Sequence, residues 1–273
     1  MHEMKDFTIV IPVLNGEKYI KDALESIEAQ TIDDLHILIS NNGSSDGTSE
    51  IINCWKSKYS IELIERKDTL PHVEHFNLIL KSVKTPKYML LCHDDYFADP
   101  RAIEKASRAL DDFPEVNAVY CNLDYVSASK KHIYTQRFNR PRLFKADDAG
   151  RRSLLLARNM FGIPLAVRTD CLKFYSYSLD LPYSGDIELS WLSSRHQECV
   201  HLDESLICNR YRSDNMTWSL VGNAGAELIK IYERFYGPAK KSVRLRIILA
   251  SGLSGLLKKL FKVFSGIRIK FDY

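Results

Sequence analysis

The sequence places two adjacent carboxylates at the end of an apolar run. Asp94 and Asp95 follow YMLLC (88–92), which has the length and composition of a buried strand. Hard cations such as Mg²⁺ and Mn²⁺ take carboxylate oxygens and leave positions for substrate phosphates and water. A polar turn with a helix cap would also explain acids here, but Asp99 before Pro100 already suits that cap. The pair therefore indicates a divalent-cation site.

The elements that position this pair alternate between strand and helix. Strand-length apolar runs occur at 7–14, 35–40, 61–65, 87–92 and 116–121. Apolar residues at helical spacing lie between them, which predicts parallel β-α-β units and an α/β sheet. Ligands of such sheets bind outside the carboxyl ends of the strands. We therefore expect the loops after the first, second and fourth runs to meet at one edge.

The second half of the chain is less regular than the first. Helices are expected at 151–162 and 186–196, and a strand at 204–212. The residues that select the substrate are expected between Asp124 and Pro182, and the pattern of this region does not identify that substrate. No linker or repeat precedes residue 240, so the sequence predicts one domain from 1 to 239.

The loop NNGSSDGT (41–48) follows the second predicted strand. Gly43 and Gly47 allow backbone turns that side chains would block, and the Asn and Ser residues supply amides and hydroxyls able to read a base or ribose. The same composition also suits a plain turn, so this loop alone does not decide the function.

Composition bounds the class of protein. The chain has 273 residues, 45% hydrophobic and 27% charged, with a net charge of only +3, which gives no reason to expect nucleic-acid binding. Six scattered cysteines without a C-x-x-C pair suggest reduced thiols and a cytosolic location. No signal peptide or run of transmembrane length is evident.

The C-terminal segment 240–273 differs from the body in charge. It has nine basic residues and one acid, a net of +8, which leaves −5 on the first 239 residues. One helical face collects apolar residues, namely Leu249, Leu253, Leu256, Leu257, Leu260 and Phe264, and Lys258, Lys259 and Lys262 lie off it. The pattern predicts an amphipathic helix on the anionic inner face of the cytoplasmic membrane, with contact through 243–264. Packing of the helix on the domain is the alternative.

Several motifs together resemble a known family. The segments FTIVIPVLNGEKYIKDALESIEAQT, LHILISNNGSSDGT and FNLILKSVKTPKYMLLCHDDYF are similar in order and spacing to the inverting family 2 glycosyltransferases, which have the GT-A fold. A weaker match continues through SGDIELSWLSSRH and NRYRSDNMT to about residue 218. The resemblance implies a Rossmann-like, mostly parallel sheet with a nucleotide-sugar-binding half (1–122) and an acceptor half (123–239).

The resemblance also implies roles for the donor-site residues. The residues expected at the nucleotide sugar are Pro12, Val13, Asn15, Glu17, Asn42, Asn77, Asp94 and Arg212. Asn42 stands where the family usually has an Asp that binds the base, and Asn77 has the alternative of a helix-surface amide. Asp94 and Asp95 match the acids that hold ribose and metal, with Mg²⁺ or Mn²⁺ as cofactor, while Cys92 replaces the first acid of the motif.

Two further assignments concern catalysis. Asp186 matches the carboxylate that deprotonates the acceptor, with helix capping as the alternative role and Glu188 as the fallback base. Arg212 occupies the place of a family His near the metal or diphosphate, and we expect Arg212 or Arg210 to stabilise the departing diphosphate.

The implied activity is transfer of a sugar from a UDP- or dTDP-sugar to a hydroxyl of a surface, capsular or lipid-linked glycan. The alternatives are an inactive nucleotide-binding homologue and a nucleotidyltransferase, although PVLNGEKY is a poor glycine-rich loop.

Overall fold

The computed structural model describes residues 6–212 and 221–268, with side chains in the last helix as far as Leu256. The predicted match over 213–218 lies outside the described residues. The strands are β1 Phe7–Val13, β2 Leu35–Asn41, β3 Ser60–Glu65, β4 Lys87–Leu90, β5 Tyr96–Phe97, β6 Ala118–Val126, β7 His132–Gln136, β8 Leu143–Lys145, β9 Pro164–Arg168 and β10 Glu198–Arg210. The helices are α1 Ile20–Glu28, α2 Thr48–Cys54, α3 His72–Leu80, α4 Ala102–Asp112, α5 Ala146–Leu156, α6 Gly185–Ser193, α7 Ala224–Tyr236 and α8 Lys241–Arg268.

Across the described residues the strands form one mixed sheet. The main order is β3-β2-β1-β4-β9-β6-β10-β5, with β7 paired to β6 and β8 paired to β10. The first four strands are parallel, as predicted. The part of the sheet formed by the second half of the chain is mixed, because β9 runs antiparallel to both β4 and β6.

The parallel strands are buried on both faces, which explains their continuous apolar sequence. In β1, Ile9 and Ile11 belong to the core cluster that contains α1 and α4, whereas Val10 belongs to the cluster under α3, α5, α6 and α7. Leu38 of β2 packs on the same side as Val10. This double burial aligns the strand ends that form the candidate site.

Element boundaries in the second half differ from those expected. The helix predicted at 151–162 begins earlier, at Ala146. It also ends earlier, at Leu156, because Ala157 adopts a left-handed conformation with φ of 47°. The strand predicted at 204–212 is the end of the longer β10, and the boundary drawn between 122 and 123 falls inside β6. The division into two halves and an extension stays a prediction.

Close packing fixes α6, the helix that begins with Asp186 in its first turn. Its Trp191 is 1% exposed and stacks on Phe235 of α7 with ring centroids 4.0 Å apart. A side chain at Gly150 of α5 would lie 2.1 Å from the Trp191 ring, so only glycine permits this approach of α5 to α6. This packing fixes the position of α6 and therefore the direction in which its first turn presents the Asp186 side chain.

Candidate functional site

The loops after β1 and β2 are joined by a set of hydrogen bonds. The backbone N–H of Asn15 donates to Ser44 Oγ (2.9 Å), and Asn15 Oδ1 accepts from the N–H of Ser45 (2.9 Å). Glu17 Oε2 accepts from the N–H of Gly47 (3.1 Å), while the N–H of Glu17 donates to Asp46 (3.1 Å). Asn15 and Glu17 therefore hold the two loops together.

The loop after β4 joins the same cluster. A Cβ on Gly16 would lie 2.8 Å from the ring of His93 and 2.5 Å from Val13, so the chain approaches His93 closely at this glycine. The loops after the first, second and fourth strands thus meet at the carboxyl edge of the parallel strands, as the sequence predicts.

Asp95 is buried where these three loops meet. Its side chain is 5% exposed, and its carboxylate accepts from the N–H of Arg210 (2.9 Å) and from Asn209 Nδ2 (3.0 Å). Burial, and then the charge of Asp94, raise the pKa of Asp95 well above its usual value. Among the described residues, two N–H donors bind this carboxylate, and lone pairs remain on both oxygens.

Asp94 pairs with Arg212, the residue predicted to contact the diphosphate. Arg212 Nη2 lies 3.0 Å from Asp94 Oδ2, and the guanidinium lies 4.7 Å from the ring centroid of Tyr19. The Asp94 and Arg212 side chains are 13% and 15% exposed, respectively. The contact places one cation beside the acids of the site.

The structure corrects the expectation that Arg210 shares the diphosphate role. Arg210 is 1% exposed, and its guanidinium donates to the carbonyls of Asp94 (2.9 Å) and Ala128 (2.6 Å) and to Asp22 (2.7 Å). Every guanidinium nitrogen is engaged within the fold, so Arg210 is a structural residue and Arg212 is the remaining candidate.

Two of the three side chains that could bind a metal ion at Asp95 suit a hard cation. The side-chain ligand atoms of Cys92, Asp94 and Asp95 lie within 4.8 Å of one another. Burial raises the pKa of Cys92 well above its usual value, with smaller contributions from Asp95 and Asp94, so its thiol stays neutral. The two carboxylates suit Mg²⁺ or Mn²⁺, whereas the neutral thiol does not.

Asp186 stands apart from this pair, exposed in the first turn of α6. Asn159 Nδ2 donates to Asp186 Oδ2 (2.7 Å), and the N–H of Ile187 donates to Oδ1 (2.9 Å). The Glu227 carboxylate of α7 accepts from the N–H groups of Tyr183 (3.0 Å) and Ser184 (2.8 Å) just before the helix. Asp186 is thus held at one oriented position.

Tyr177 lies in the segment that precedes α6. Burial raises its pKa, with a smaller contribution from the charge of Asp186. The backbone of Tyr177 exchanges two hydrogen bonds, each 2.8 Å, with the side chain of Asn77. Asn77 therefore ties α3 to the segment before Asp186, and its contact with the nucleotide sugar stays a prediction.

The fallback base, Glu188, is placed where it cannot take that role. Its side chain is 2% exposed and forms an ion pair with Arg234 and a hydrogen bond with Ser178. A buried, paired carboxylate has no access to an acceptor, so this expectation is wrong and Asp186 is the candidate base.

The residues expected at the base occupy the ends of β1 and β2. Pro12 and Val13 are buried at the end of β1. Asn42 is 2% exposed, and its amide exchanges hydrogen bonds with the backbone of Leu70 (2.9 and 3.0 Å). Asn42 thus joins β2 to the segment before α3, and base contact by these three residues stays a prediction.

Sequence reasoning missed the residues that hold the acids in place. Asn159 orients Asp186, Asn209 binds Asp95, and Glu227 caps α6. The sequence contains one indication of Asn209, which is the first residue of the NRYR motif (209–212). No spacing or motif indicates Asn159 or Glu227.

The fold and the acids at the strand ends define a class of protein, namely an α/β protein with a ligand site outside the carboxyl ends of its parallel strands. Solved structures of that class are similar over most of the chain. S. aureus TarS in complex with UDP-GlcNAc aligns with a TM-score of 0.65 at 14% identity, covering 90% of this chain and 79% of that one. The Pyrobaculum calidifontis mannosyltransferase PcManGT, solved with GDP-Man and Mn²⁺, aligns at 0.62 and 13% identity, covering 98% and 76%. The fold is therefore that of the GT-A glycosyltransferases.

The family follows from the sequence match. The family model described as glycosyl transferase family 2 matches residues 8–179, and the chain belongs to that family. An uncharacterized glycosyltransferase of Rickettsia typhi is 25% identical over 252 residues, 90% of this chain and 75% of the relative. The teichoic acid poly(glycerol phosphate) polymerase of Staphylococcus epidermidis is 33% identical over 97 residues, 35% of this chain but only 14% of the polymerase. The nucleotidyltransferase alternative is thereby set aside, and the protein is a glycosyltransferase.

Proposed function

We propose that this glycosyltransferase moves one sugar, with inversion, from a UDP- or dTDP-sugar to a hydroxyl of a surface glycan or lipid-linked glycan. The observation that carries the proposal is the pair of carboxylates at the point where the strand-end loops meet, together with an exposed, oriented carboxylate at the start of α6. Asp94 and Asp95 lie where three strand-end loops meet. Asp186 is exposed at the start of α6, and the segment before α6 is held to α3 by the hydrogen bonds between Tyr177 and Asn77. TarS structures with UDP and UDP-GlcNAc support a uridine donor.

Asp186 and Arg212 have separate roles in the proposed reaction. The acceptor oxygen attacks the anomeric carbon from the face opposite the diphosphate, and Asp186 takes the acceptor proton. The bond from the anomeric carbon to the diphosphate oxygen breaks, and its electron pair leaves on the nucleoside diphosphate. Arg212 donates hydrogen bonds to that leaving group from its position beside Asp94.

Asp95 and Asp94 would hold a divalent cation. Mg²⁺ or Mn²⁺ bound there supplies positive charge that stabilises the leaving diphosphate. Asn209 and the backbone of Arg210 fix the Asp95 carboxylate before any ligand arrives, and Arg212 supplies part of the same charge. The PcManGT structure with Mn²⁺ supports a cation in this fold.

A thermal-shift panel tests the donor class. UDP, dTDP and GDP are each added with and without Mn²⁺, and we expect UDP or dTDP to raise the Tm in a Mn²⁺-dependent way. A ligand at about 100 times its Kd stabilises a protein by about 2.7 kcal/mol, which corresponds to roughly 5 °C for a chain of this size. The Asp186→Asn variant is the control, because it should keep the shift. Stabilisation by GDP alone would reassign the donor, and no shift with any nucleotide would contradict the proposal.

The last helix supports a second part of the proposal, contact with an anionic membrane surface. The described apolar residues on one face of α8 are all more than half exposed, namely Leu245, Ile248, Leu249, Leu253 and Leu256. The opposite face carries Ile247, which is 0% exposed, and Ser251, which packs at Gly225 of α7. The helix therefore packs on the domain and also presents an apolar face.

Charge favours a membrane over a second copy of the chain as the partner of that face. The α8 sequence contains seven Lys or Arg and no acid, so two such helices would repel each other, whereas anionic headgroups attract them. The side chains of Leu257, Leu260, Phe264 and the three lysines 258, 259 and 262 lie outside the described part of the helix. No helix among the described residues is long and apolar enough to cross a membrane.

Substitution on this face tests membrane contact. We expect Leu249→Ser with Leu253→Ser to lower binding to phosphatidylglycerol-containing vesicles at least tenfold in a sedimentation assay, because each exposed Leu contributes about 1.5–3 kcal/mol when buried. Phe174→Ser is a matched control, since Phe174 is 79% exposed but lies outside α8. Equal binding of the double variant and the control would contradict membrane contact through this face.

A further inference from the structure

A pocket of about 360 Å³ lies where α5, α7 and α8 pack together. Its volume falls within the roughly 300–1,000 Å³ of typical ligand pockets. The described residues that line it are mainly apolar or aromatic, namely Leu154, Leu155, Tyr232, Tyr236 and Val243. None of these residues belongs to the donor site or contacts the candidate base, so the proposed reaction does not explain this pocket.

The inner wall of the pocket is part of the hydrophobic core. Leu154 is 1% exposed and belongs to the same core cluster as Ile247 of α8. Tyr232 and Val243 pack against that cluster, and the ring centroids of Tyr232 and Tyr236 lie 5.1 Å apart. Such a wall favours a hydrocarbon chain as the ligand, because contact with the wall removes apolar surface of both from water.

Two arginines line the same pocket from different helices. Arg151 belongs to α5 and Arg246 to α8, and both residues are exposed. Arg151 Nη2 lies 3.2 Å from Asp148 Oδ1, but the two side chains are 62% and 60% exposed, and a surface ion pair of this kind contributes little to stability. A phosphate can therefore replace Asp148 as the partner of Arg151, since a guanidinium binds phosphate through two parallel hydrogen bonds. The pocket thus combines an apolar wall with two cations.

The pocket borders the apolar face of α8 that is proposed to contact the membrane. Arg246 lies one turn before Leu249 and two turns before Leu253 along the helix surface, and these leucines are 64% and 59% exposed. Ile247, on the opposite face, is 0% exposed. A helix in the headgroup layer places its apolar face at the boundary between headgroups and acyl chains. Membrane contact would therefore bring the pocket to the level where both parts of a phospholipid are present.

We propose that the pocket binds one anionic phospholipid, with its phosphate between Arg151 and Arg246 and part of an acyl chain against Leu154, Leu155 and Val243. A glycan or a free phosphate would satisfy the arginines but leave the apolar wall without a partner. The inference rests on the membrane contact proposed above and goes beyond it. The basic helix alone predicts attraction to any anionic surface, whereas the pocket predicts a single saturable site for one lipid molecule.

The test uses a short-chain lipid that is soluble as a monomer, so that binding does not require a bilayer. Dihexanoyl-phosphatidylglycerol, dihexanoyl-phosphatidylcholine and glycerol phosphate are each titrated into the full chain by calorimetry, below the critical micelle concentration. We expect saturable binding of one phosphatidylglycerol molecule per chain. The other two probes should bind at least about tenfold more weakly, because phosphatidylcholine has no net negative charge and glycerol phosphate has no acyl chains.

Variants of the pocket complete the test. Arg246→Gln should weaken binding of the phosphatidylglycerol probe about tenfold, because it removes charge-assisted hydrogen bonds to the phosphate. Leu155→Trp, which fills the pocket without a change of charge, should weaken binding as well. Arg244→Gln is the matched control, because it removes the same charge from the same helix. Arg244 is not among the described residues that line the pocket and pairs with Glu233 (2.5 Å), so this variant should bind the lipid as the wild type does.

The outcomes separate this inference from membrane contact and from sugar transfer. Leu249→Ser with Leu253→Ser should still bind the soluble lipid although it loses vesicle binding, and every variant should keep the UDP-dependent thermal shift. Equal weakening by Arg244→Gln and Arg246→Gln would show nonspecific attraction and overturn the pocket. Equal binding of glycerol phosphate or of phosphatidylcholine overturns it as well, as does the absence of saturable lipid binding by a wild-type chain that sediments with vesicles.

Discussion

The Asp186→Asn variant is expected to lose at least 10³-fold in kcat for sugar transfer while it still binds the nucleotide. General base catalysis contributes typically about 10²–10⁴ in rate, and an amide cannot accept the acceptor proton. Asn has nearly the same shape as Asp, so its oxygen can still accept from Asn159 or from the N–H of Ile187. The loss should therefore appear in kcat rather than in the Tm or in the UDP shift.

Two measurements complete this test. Glu188→Gln is the matched control on the same helix, because Glu188 is buried and paired with Arg234; it should lower the Tm without a comparable fall in kcat. NMR of the product made by the wild-type protein should show one anomer, opposite to that of the donor. Transfer by Asp186→Asn within tenfold of the wild type would remove Asp186 from the base role, and retention of configuration would contradict the inverting mechanism.

The sequence predicted the parts of the site that follow from strand order. Apolar runs located β1, β2 and β4, and the rule for parallel strands placed their loops at one edge. The hydrogen bonds of Asn15 and Glu17 join the loops after β1 and β2, and His93 of the loop after β4 lies close to Gly16. Loop convergence could be predicted because it depends on local pattern and topology alone. Asp186 was found only through the family resemblance, since a lone acid at a helix start has no distinctive spacing.

Contacts between distant parts of the chain could not be predicted. Arg210 is the last residue of β10 and Arg212 lies two residues beyond it. The predicted strand 204–212 contains both, and alternation along a strand would place both side chains on one face. The structure separates them because the Arg210 guanidinium reaches Asp22, 188 residues away, whereas Arg212 reaches Asp94. Asn159 shows the same limit, because its bond to Asp186 depends on the left-handed turn at Ala157, and alanine gives no signal for such a turn.

The C-terminal helix shows how a sequence pattern can support two structures at once. Membrane contact and packing on the domain were alternatives, yet α8 uses Ile247 and Ser251 for packing and leaves Leu249 and Leu253 exposed. An amphipathic pattern identifies the apolar face only. Here Ile247 and Ser251 on the other face supply the packing surface, so packing does not exclude membrane contact.

Removal of the Asp95 carboxylate has the second large expected effect. Asp95→Ala should reduce transfer at least 10³-fold and abolish the Mn²⁺-dependent part of the UDP thermal shift, because it removes the buried oxygen ligands at the meeting point of the loops. The substitution also leaves the N–H of Arg210 and the amide of Asn209 without their acceptor. An unsatisfied buried donor costs about 1–3 kcal/mol, so the Tm without ligand should fall by several degrees.

Lost stability and lost cation binding must therefore be distinguished. Asn209→Ala removes one hydrogen bond from Asp95 Oδ2 and keeps the carboxylate; it should lower the Tm in a similar way but retain a Mn²⁺-dependent UDP shift. Arg212→Gln removes the cation beside Asp94, and we expect a smaller loss in transfer, about 10- to 100-fold, with a stronger dependence on Mn²⁺. If Asp95→Ala kept the full Mn²⁺ response, the cation would bind elsewhere, and Arg212 would be the main charge that stabilises the diphosphate.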